Sequence, residues 1–410
     1  MTTKTRVFLF LQGPCSPFFA ELASHLRALG HRVFKVNFTS GDYLYWRSSQ
    51  GFQYRARLAE LPAFLEHLWL TLGITDQVLF GDCRPVHQPA ITHGQQLGIR
   101  NYVFEEGYFR PFWITLEREG VNSHSRLPKD AQWYKDVGTA LPELEPPHAF
   151  QSPFSVRATH DVLYNVANLS NPLFFRDYRS HAPVPAMLEY AGYLQRFAIN
   201  ALIKKHDNVR LTELIRNKTS FYFLPLQLSS DTQITQHSSY SSMIEALEEV
   251  MASFSCHAAT HSWLVIKIHP LDAGLINYDK VIKHLALRYA ITERVLYLQV
   301  ADLQQLLAKA TGTVTVNSTV GGLALSYHCP TITLADPIYN LPGLTFQGKL
   351  DDFWPHAEPP DALLFKLYSK TIIHTTQING GFYCHAGIRL AIKHSERFFA
   401  IARSPLELLL

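Results

Sequence analysis

The sequence predicts an α/β protein built from two Rossmann-like domains, each a parallel sheet covered by helices on both faces. Short apolar strands alternate with amphipathic helices, and this alternation runs twice, once through the first hundred residues and again from residue 221. Length agrees, because 410 residues exceed one ordinary core and suit two domains. Strands buried on both faces read as continuous runs of Val, Ile, Leu and Phe, as these do.

Residues 7–11 read as the first strand, 17–29 as a helix ended by Gly30, and 33–36 as the second strand. Segments 58–72, 78–80, 90–97 and 102–104 continue the alternation. From 118 to 154 the pattern fails, and Pro142, Pro146, Pro147 and Pro153 mark an irregular insertion. Residues 159–215 favour helix, most clearly 188–203. The second series runs through 221–226, 243–254, 264–268, 281–289, 295–298, 303–308, 313–316, 320–327 and 331–334. A last helical stretch, 383–400, is expected to cross back onto the first domain. The predicted domains are therefore 1–217, with the irregular and helical insertion at about 118–215, then 218–380, and a closing segment at 381–410.

Composition is ordinary for a globular protein, with 47% hydrophobic and 17% charged residues. A net charge of +3 lacks the basic footprint of a nucleic-acid binder, so no nucleic-acid partner is expected. Cys15, Cys83, Cys256, Cys329 and Cys384 are scattered without CxxC or zinc-ligand spacing, which points to a reducing compartment and no metal site. The first apolar run, five residues before Gln12, is too short for a signal peptide or a spanning helix, so membrane contact is expected from the side.

Ligands of such sheets sit beyond the carboxyl ends of the strands, and that is where the reactive residue types gather. Gln12-Gly13-Pro14 closes the first strand with a turn that suits a ligand or merely a tight bend. Asp42 and Asp82 follow later strands, where capping is the commoner use of an aspartate. Glu105-Glu106-Gly107-Tyr108-Phe109-Arg110-Pro111 sets two carboxylates side by side, which raises one pKa as a general acid or base requires. The plain alternative is a solvated loop with an Arg–Glu pair. In the second half, Gln227 and Asp231 follow the strand at 221–226. Asp231 suits a helix cap or a carboxylate facing an electron-poor sugar carbon. Lys267 and His269 share a strand face before Pro270 and suit a leaving phosphate. Asn317-Ser318-Thr319 heads a helix whose N–H groups favour an anion, with Gly321 and Gly322 permitting close approach. An ordinary Ser or Thr N-cap is the competing reading.

Two such domains facing a central cleft describe the GT-B architecture of nucleotide-sugar glycosyltransferases, though a fold alone does not fix chemistry. With its motifs in this order, the chain resembles the bacterial capsule polysaccharide biosynthesis family, specifically its single-module retaining β-Kdo transferases. The residues that carry the resemblance are Phe8-Leu9-Phe10-Leu11-Gln12-Gly13-Pro14 with Pro17-Phe18-Phe19, Gly30-His31-Arg32-Val33 through Gly41-Asp42, and Glu105 to Pro111 with Thr115-Leu116-Glu117 and Gly120-Val121-Asn122. Pro225-Leu226-Gln227 with Asp231, His269-Pro270 and Asn317-Ser318-Thr319-Val320-Gly321 complete it.

The resemblance implies transfer of Kdo from CMP-Kdo, a donor substrate and not a cofactor, to phosphatidylglycerol or lysophosphatidylglycerol at the cytoplasmic face of the inner membrane. It implies Asp231 as nucleophile, Glu106 as acceptor-side base with Glu105 second, and Gln227, Lys267, His269, Pro270, Asn317, Ser318, Thr319 and Gly321 around the CMP phosphate. Gln12, Gly13, Tyr108 and Arg110 would line the acceptor side, with Tyr43, Tyr45 and Trp46 beside Arg47 at the membrane. The larger two-module Kdo transferase and the capsule export machinery are the implied protein partners. A CMP-sialic acid or chain-extending Kdo transferase, and a non-catalytic glycolipid-binding component of the export complex, remain open.

Overall fold

The computed structural model describes residues 5–47, 50–179, 186–228, 234 and 236–410. They form two compact units, one of residues 1–127, 140–181 and 369–410, the other of 128–139 and 182–368. Among the described residues no helix is long and apolar enough to cross a membrane.

In the first unit, β1 (Val7–Phe10), β2 (Arg32–Asn37), β3 (Gly51–Gln53), β4 (Asp76–Phe80) and β5 (Arg100–Glu106) lie parallel in the order β3-β2-β1-β4-β5. The sheet is not wholly parallel. The chain turns back at Gly107 into β6 (Trp113–Arg118), antiparallel to β5. A Cβ on Gly107 would sit 1.9 Å from the Trp113 carbonyl oxygen, so this reversal needs glycine. The pattern of the sequence hid β6 because it ends in the buried polar pair Glu117 and Arg118.

One face of this sheet packs Phe8 and Phe10 against α1 (Phe18–Ala28) and against Ile388, Ala391 and Phe398 of the helix His385–Phe399. The other packs Leu9 and Leu11 against α3 (Leu61–Leu72) and α4 (Gln88–Gln96). Between them in sequence, α2 (Ser40–Trp46) begins at Thr39, whose hydroxyl accepts the Asp42 N–H at 3.1 Å. Trp46 joins the core and Tyr43 is exposed.

The stretch read as irregular, 118–154, contains α5 (Ala131–Ala140), and the stretch read as helical, 159–215, holds most of α6 (Phe154–Asn168), α7 (Asn171–Phe174) and α8 (Ala186–Arg216). The boundary drawn at 217 divides differently in space. Leu211 and Leu214 of α8 pack with Phe221, Phe223 and Val265, and the buried Asp207 accepts the N–H groups of Gln299 at 2.7 Å and Val300 at 3.0 Å. These bonds carry 182–217 into the second unit.

The second unit is wholly parallel: β7 (Phe221–Pro225), β8 (Trp263–Lys267), β9 (Val295–Leu298), β10 (Gly312–Thr315) and β11 (Thr331–Thr333) follow the order β11-β10-β7-β8-β9. The last strand, β12 (Gln377–Asn379), pairs antiparallel with β6 and so returns 369–380 to the first unit. Both units share one logic. Strand order reverses beside the first strand, between β1 and β4 and between β7 and β10, where the connecting loops diverge and open a crevice at the carboxyl ends.

The opposite end of the first sheet is closed by charge. Asp76, fully buried at the start of β4, accepts Arg6 Nε at 2.8 Å, Arg100 Nη2 at 3.0 Å and Thr75 Oγ1 at 2.6 Å. Burial works to raise this carboxyl, but the hydrogen bonds and charge of Arg6 outweigh it, and the group stays below the usual carboxylate range. Asp76→Ala leaves both arginines unpaired and should cost about 3–5 kcal/mol of stability in urea denaturation. A loss under about 1 kcal/mol would show that the cluster is not what closes the sheet.

Candidate functional site

In the first unit the crevice is organised by Gln12, just past β1 and 1% exposed. Its Nε2 lies 3.3 Å from Asp42 Oδ2, 3.2 Å from Tyr164 Oη and 3.3 Å from Tyr178 Oη, more acceptors than its two protons serve at once. Its Oε1 accepts Arg84 Nη1 at 3.0 Å, and the same nitrogen reaches the Gly13 carbonyl at 3.2 Å. Gln12 thus ties the end of β1 to the loops after β2 and β4 and to the α6–α7 segment. Asp42 also accepts the Phe38 N–H at 3.0 Å and the Tyr164 hydroxyl at 3.1 Å. Gly13 is needed because a Cβ there would meet the Phe19 ring at 2.7 Å.

Lys35 is buried beneath this network and donates to the Leu11 carbonyl at 2.5 Å. Burial pushes its ammonium down to about 8, against the pull of Asp42. Lys35, Gly13, Asp42 and Tyr164 line one small pocket.

At the end of β5 the two glutamates diverge. Glu106 pairs with Arg157 of α6 at 3.2 Å, and the Tyr383 hydroxyl stands 3.5 Å away. Glu105 folds back beside Gly81, takes the Glu106 N–H at 2.9 Å, and is pushed up to about 7 by burial and by the charges of Glu106 and Asp82. Glu105 is therefore poised near neutrality; the resemblance put the acceptor-side base on Glu106 with Glu105 second. A second carboxyl, Glu117 on β6, is likewise pushed up to about 7 by burial, against hydrogen bonds from Ser125 and Tyr108. The Tyr108 hydroxyl donates to Glu117 at 2.8 Å and accepts the Asn122 N–H at 3.0 Å, so it supports the framework. Arg110 is exposed, its Nε 3.4 Å from the Gly107 carbonyl.

The second unit repeats the device. Gln227, just past β7, donates to Asn317 Oδ1 at 3.0 Å and accepts the Asn317 N–H at 3.2 Å, which locks the ends of β7 and β10 together. Asn317 also donates to the His237 carbonyl at 3.2 Å. Ser318 is the N-cap of the helix Thr319–Ser326, its Oγ accepting the Val320 N–H at 3.2 Å while its own proton stays available to donate. The plain cap and the anion site are therefore compatible. Thr319 is exposed at the helix start. Gly321 also has a packing reason to be glycine: a Cβ there would lie 2.3 Å from the Tyr339 hydroxyl, which donates to the Ser318 carbonyl. The less crowded glycine is Gly322.

His269 accepts the Leu271 N–H at Nδ1, 3.0 Å, so the neutral ring carries its proton on Nε2 as a donor. Lys267 is buried and its Nζ reaches the Ile268 carbonyl at 3.3 Å; Pro270 is exposed. Asp231 lies outside the described residues.

Sequence reasoning missed Lys35, Arg84, Arg157, Tyr164 and Tyr178 as site residues, and singled out Glu117 only as part of the resemblance, without a role. Arg157 and Tyr164, seven apart, share one face of α6, a signal the sequence does offer. The described side chains supply proton acceptors in the first unit and anion donors in the second.

A model of the family described as capsule polysaccharide biosynthesis protein matches residues 75–383. The Escherichia coli protein named capsule polysaccharide export protein KpsS is 36% identical over 379 residues, which are 92% of this chain and 96% of that protein. The capsule polysaccharide modification protein LipB of Neisseria meningitidis serogroup B is 33% identical over 92% of this chain and 91% of its own length. Among solved structures, a β-Kdo 2,7 transferase, KpsC of Thermosulfurimonas dismutans, aligns over 89% of both chains at 13% identity and a TM-score of 0.41, too distant to carry an argument.

Because the Glu105 carboxyl rises from 4.5 to about 7 on folding, its protonated form is the one the fold favours. Its contribution is present below pH 4.5 and is lost as pH rises through about 7. Glu105→Gln should therefore gain about 1–2 kcal/mol on the wild type between pH 5 and pH 8, read from paired denaturation curves. A pH-independent difference would assign Glu105 an ordinary solvated environment.

Proposed function

Since this chain belongs to the capsule polysaccharide biosynthesis family, we propose that it is a glycosyltransferase moving Kdo from CMP-Kdo to a phosphatidylglycerol-type lipid with retention of the β configuration. The observation that carries the reading is the carboxyl pair at the end of β5, one member titrating near neutrality and the other held by Arg157, in a chain of that family. A transferase acting on a hydroxyl needs such a base.

Retention requires two displacements. In the first, a carboxylate oxygen of Asp231, assigned by motif, bonds to the anomeric carbon while that carbon's bond to the CMP phosphate breaks, and CMP leaves with the electron pair. His269 Nε2–H, the Ser318 hydroxyl and the start of the helix Thr319–Ser326 supply donors for the departing phosphate. In the second, the acceptor hydroxyl gives its proton to Glu105 and its oxygen replaces the aspartate at the same carbon. Glu106, fixed by Arg157, orients the hydroxyl. The acceptor lipid places the reaction at the inner face of the inner membrane.

A second reading follows from the name of the Escherichia coli relative, an export protein: a component that holds lipid-linked glycan without transferring sugar. Mass spectrometry after incubation with CMP-Kdo and phosphatidylglycerol separates the two. Transfer gives CMP and lipid heavier by one or more Kdo residues; donor binding without product, across several lipids, supports the export reading. Glu105→Gln should lower turnover by about 10²–10⁴-fold and Asp231→Ala by at least as much, both without unfolding. Near-native turnover of Asp231→Ala would remove the double displacement.

A further inference from the structure

Helix α6 is turned inside out. An amphipathic helix on a globular protein normally buries its apolar stripe, but α6 has no fully buried residue and meets the first unit through its polar side. Arg157 pairs with Glu106, His160 Nδ1 lies 2.8 Å from the Tyr45 hydroxyl, Tyr164 donates to Asp42, and Asn168 accepts the Gly41 N–H at 2.8 Å. In α7, Asn171 accepts the Ser40 N–H at 2.9 Å. The apolar stripe faces solvent instead: Val162 is 43% exposed, Val166 58%, Leu169 60%, Leu173 71% and Phe174 52%. Spacings of four and three from Val162 to Leu169 keep these side chains on one side of α6, and Leu173 and Phe174 extend the exposed apolar ridge onto α7.

The ridge runs into a groove of about 450 Å3 between α2 and the α6–α7 segment, lined by Tyr43, Leu44, Arg47, Arg55, Phe174 and Phe175. Arg47 and Arg55 are exposed, and among the described residues neither guanidinium has an acidic partner. Arg176 adds a third exposed cation beyond the ridge, offset by Asp177. An apolar ridge edged by unpaired arginines and an exposed tyrosine matches the layers of a membrane surface, with acyl chains beneath and lipid phosphates above. An aqueous protein partner would leave the arginines needing carboxylates and would not need a ridge along one helix axis.

We propose that the outward face of α6 and α7 is a membrane-docking surface for an anionic glycerophospholipid bilayer, with Arg47 and Arg55 gripping a lipid headgroup phosphate in the groove beside it. On the far side of α2, Asp42 belongs to the Gln12 network, so a lipid held here lies one helix away from the strand ends. The inference deepens the lipid-acceptor reading above and rests on it, but its test reads adsorption and not transfer.

The test is co-sedimentation of the full chain with phosphatidylglycerol vesicles, with phosphatidylcholine vesicles and with phosphatidylglycerol vesicles plus inorganic phosphate. The wild type should bind the anionic vesicles, more weakly as salt rises, and bind neutral ones far less. Leu169→Asp with Leu173→Asp should lower partitioning by at least about ten-fold. Arg47→Ala with Arg55→Ala should lower it by about five-fold per arginine, and competition by phosphate should act through these two residues. Unchanged thermal melting confirms that either pair still folds. Absence of wild-type binding, equal binding to neutral vesicles, or wild-type affinity in both variant pairs would overturn the proposal, the last leaving a protein as the occupant of the face. Vesicle binding through this face with no glycolipid product would sustain the surface and sink the transferase reading.

Discussion

Each sheet depends on one buried side-chain amide beside its first strand. Beyond the carboxyl ends of the strands that flank the reversal of strand order, the ladder ends and the diverging loops have no backbone pairing to hold them. Gln12 supplies the missing bonds in the first unit, reaching Asp42, Tyr164, Tyr178 and Arg84; Gln227 supplies them in the second through its two-way pairing with Asn317. A primary amide suits the position because it donates and accepts at once without carrying charge into a buried place. In the first unit Asp42, Arg84, Tyr164 and Tyr178 are gathered by this one amide.

Burial then sets the chemistry. Lys35, Glu105 and Glu117 shift toward neutrality for the same first cause, loss of water around the charged form, although their signs differ. Asp76, equally deprived of water, moves the other way because two arginines reach it. The sheet therefore has a charged, fully paired floor at the amino ends of its central strands and a poised, partly neutralised set of groups at the carboxyl ends. The first arrangement stabilises; the second leaves protons to move. Helix α6 completes the contrast by spending its polar face on Glu106 and Asp42, which leaves its apolar face outward.

Much of this was legible in the residues. The alternation of apolar runs and helices marked all five strands of the second sheet, and four of the five parallel strands of the first. The glutamate pair, both glutamines, His269 and the Asn317-Ser318-Thr319 head were picked out because they follow strands. What was hidden has common causes. Strand β3 has three residues and β12 three, too short for a period to show, and β6 carries Glu117 and Arg118 where an apolar run would announce a strand. The proline-rich stretch concealed α5 and the first turn of α6, where proline at 153 stands immediately before the helix and not within it.

The sequence by itself determined the two Rossmann-like halves, the strand ends as the place for chemistry and the residue types available there, because hydrophobic period and chain order are local properties. Only the tertiary structure decided which groups share a microenvironment. It raised the Glu105 carboxyl to near neutrality, packed Gly321 against the Tyr339 hydroxyl, and brought Arg157 and Tyr164 from a segment without motifs to the edge of Glu106 and Asp42. Burial and contacts made across the fold set those outcomes, from Tyr339 against Gly321 to Tyr164 on Asp42, and hydrophobic period does not register them.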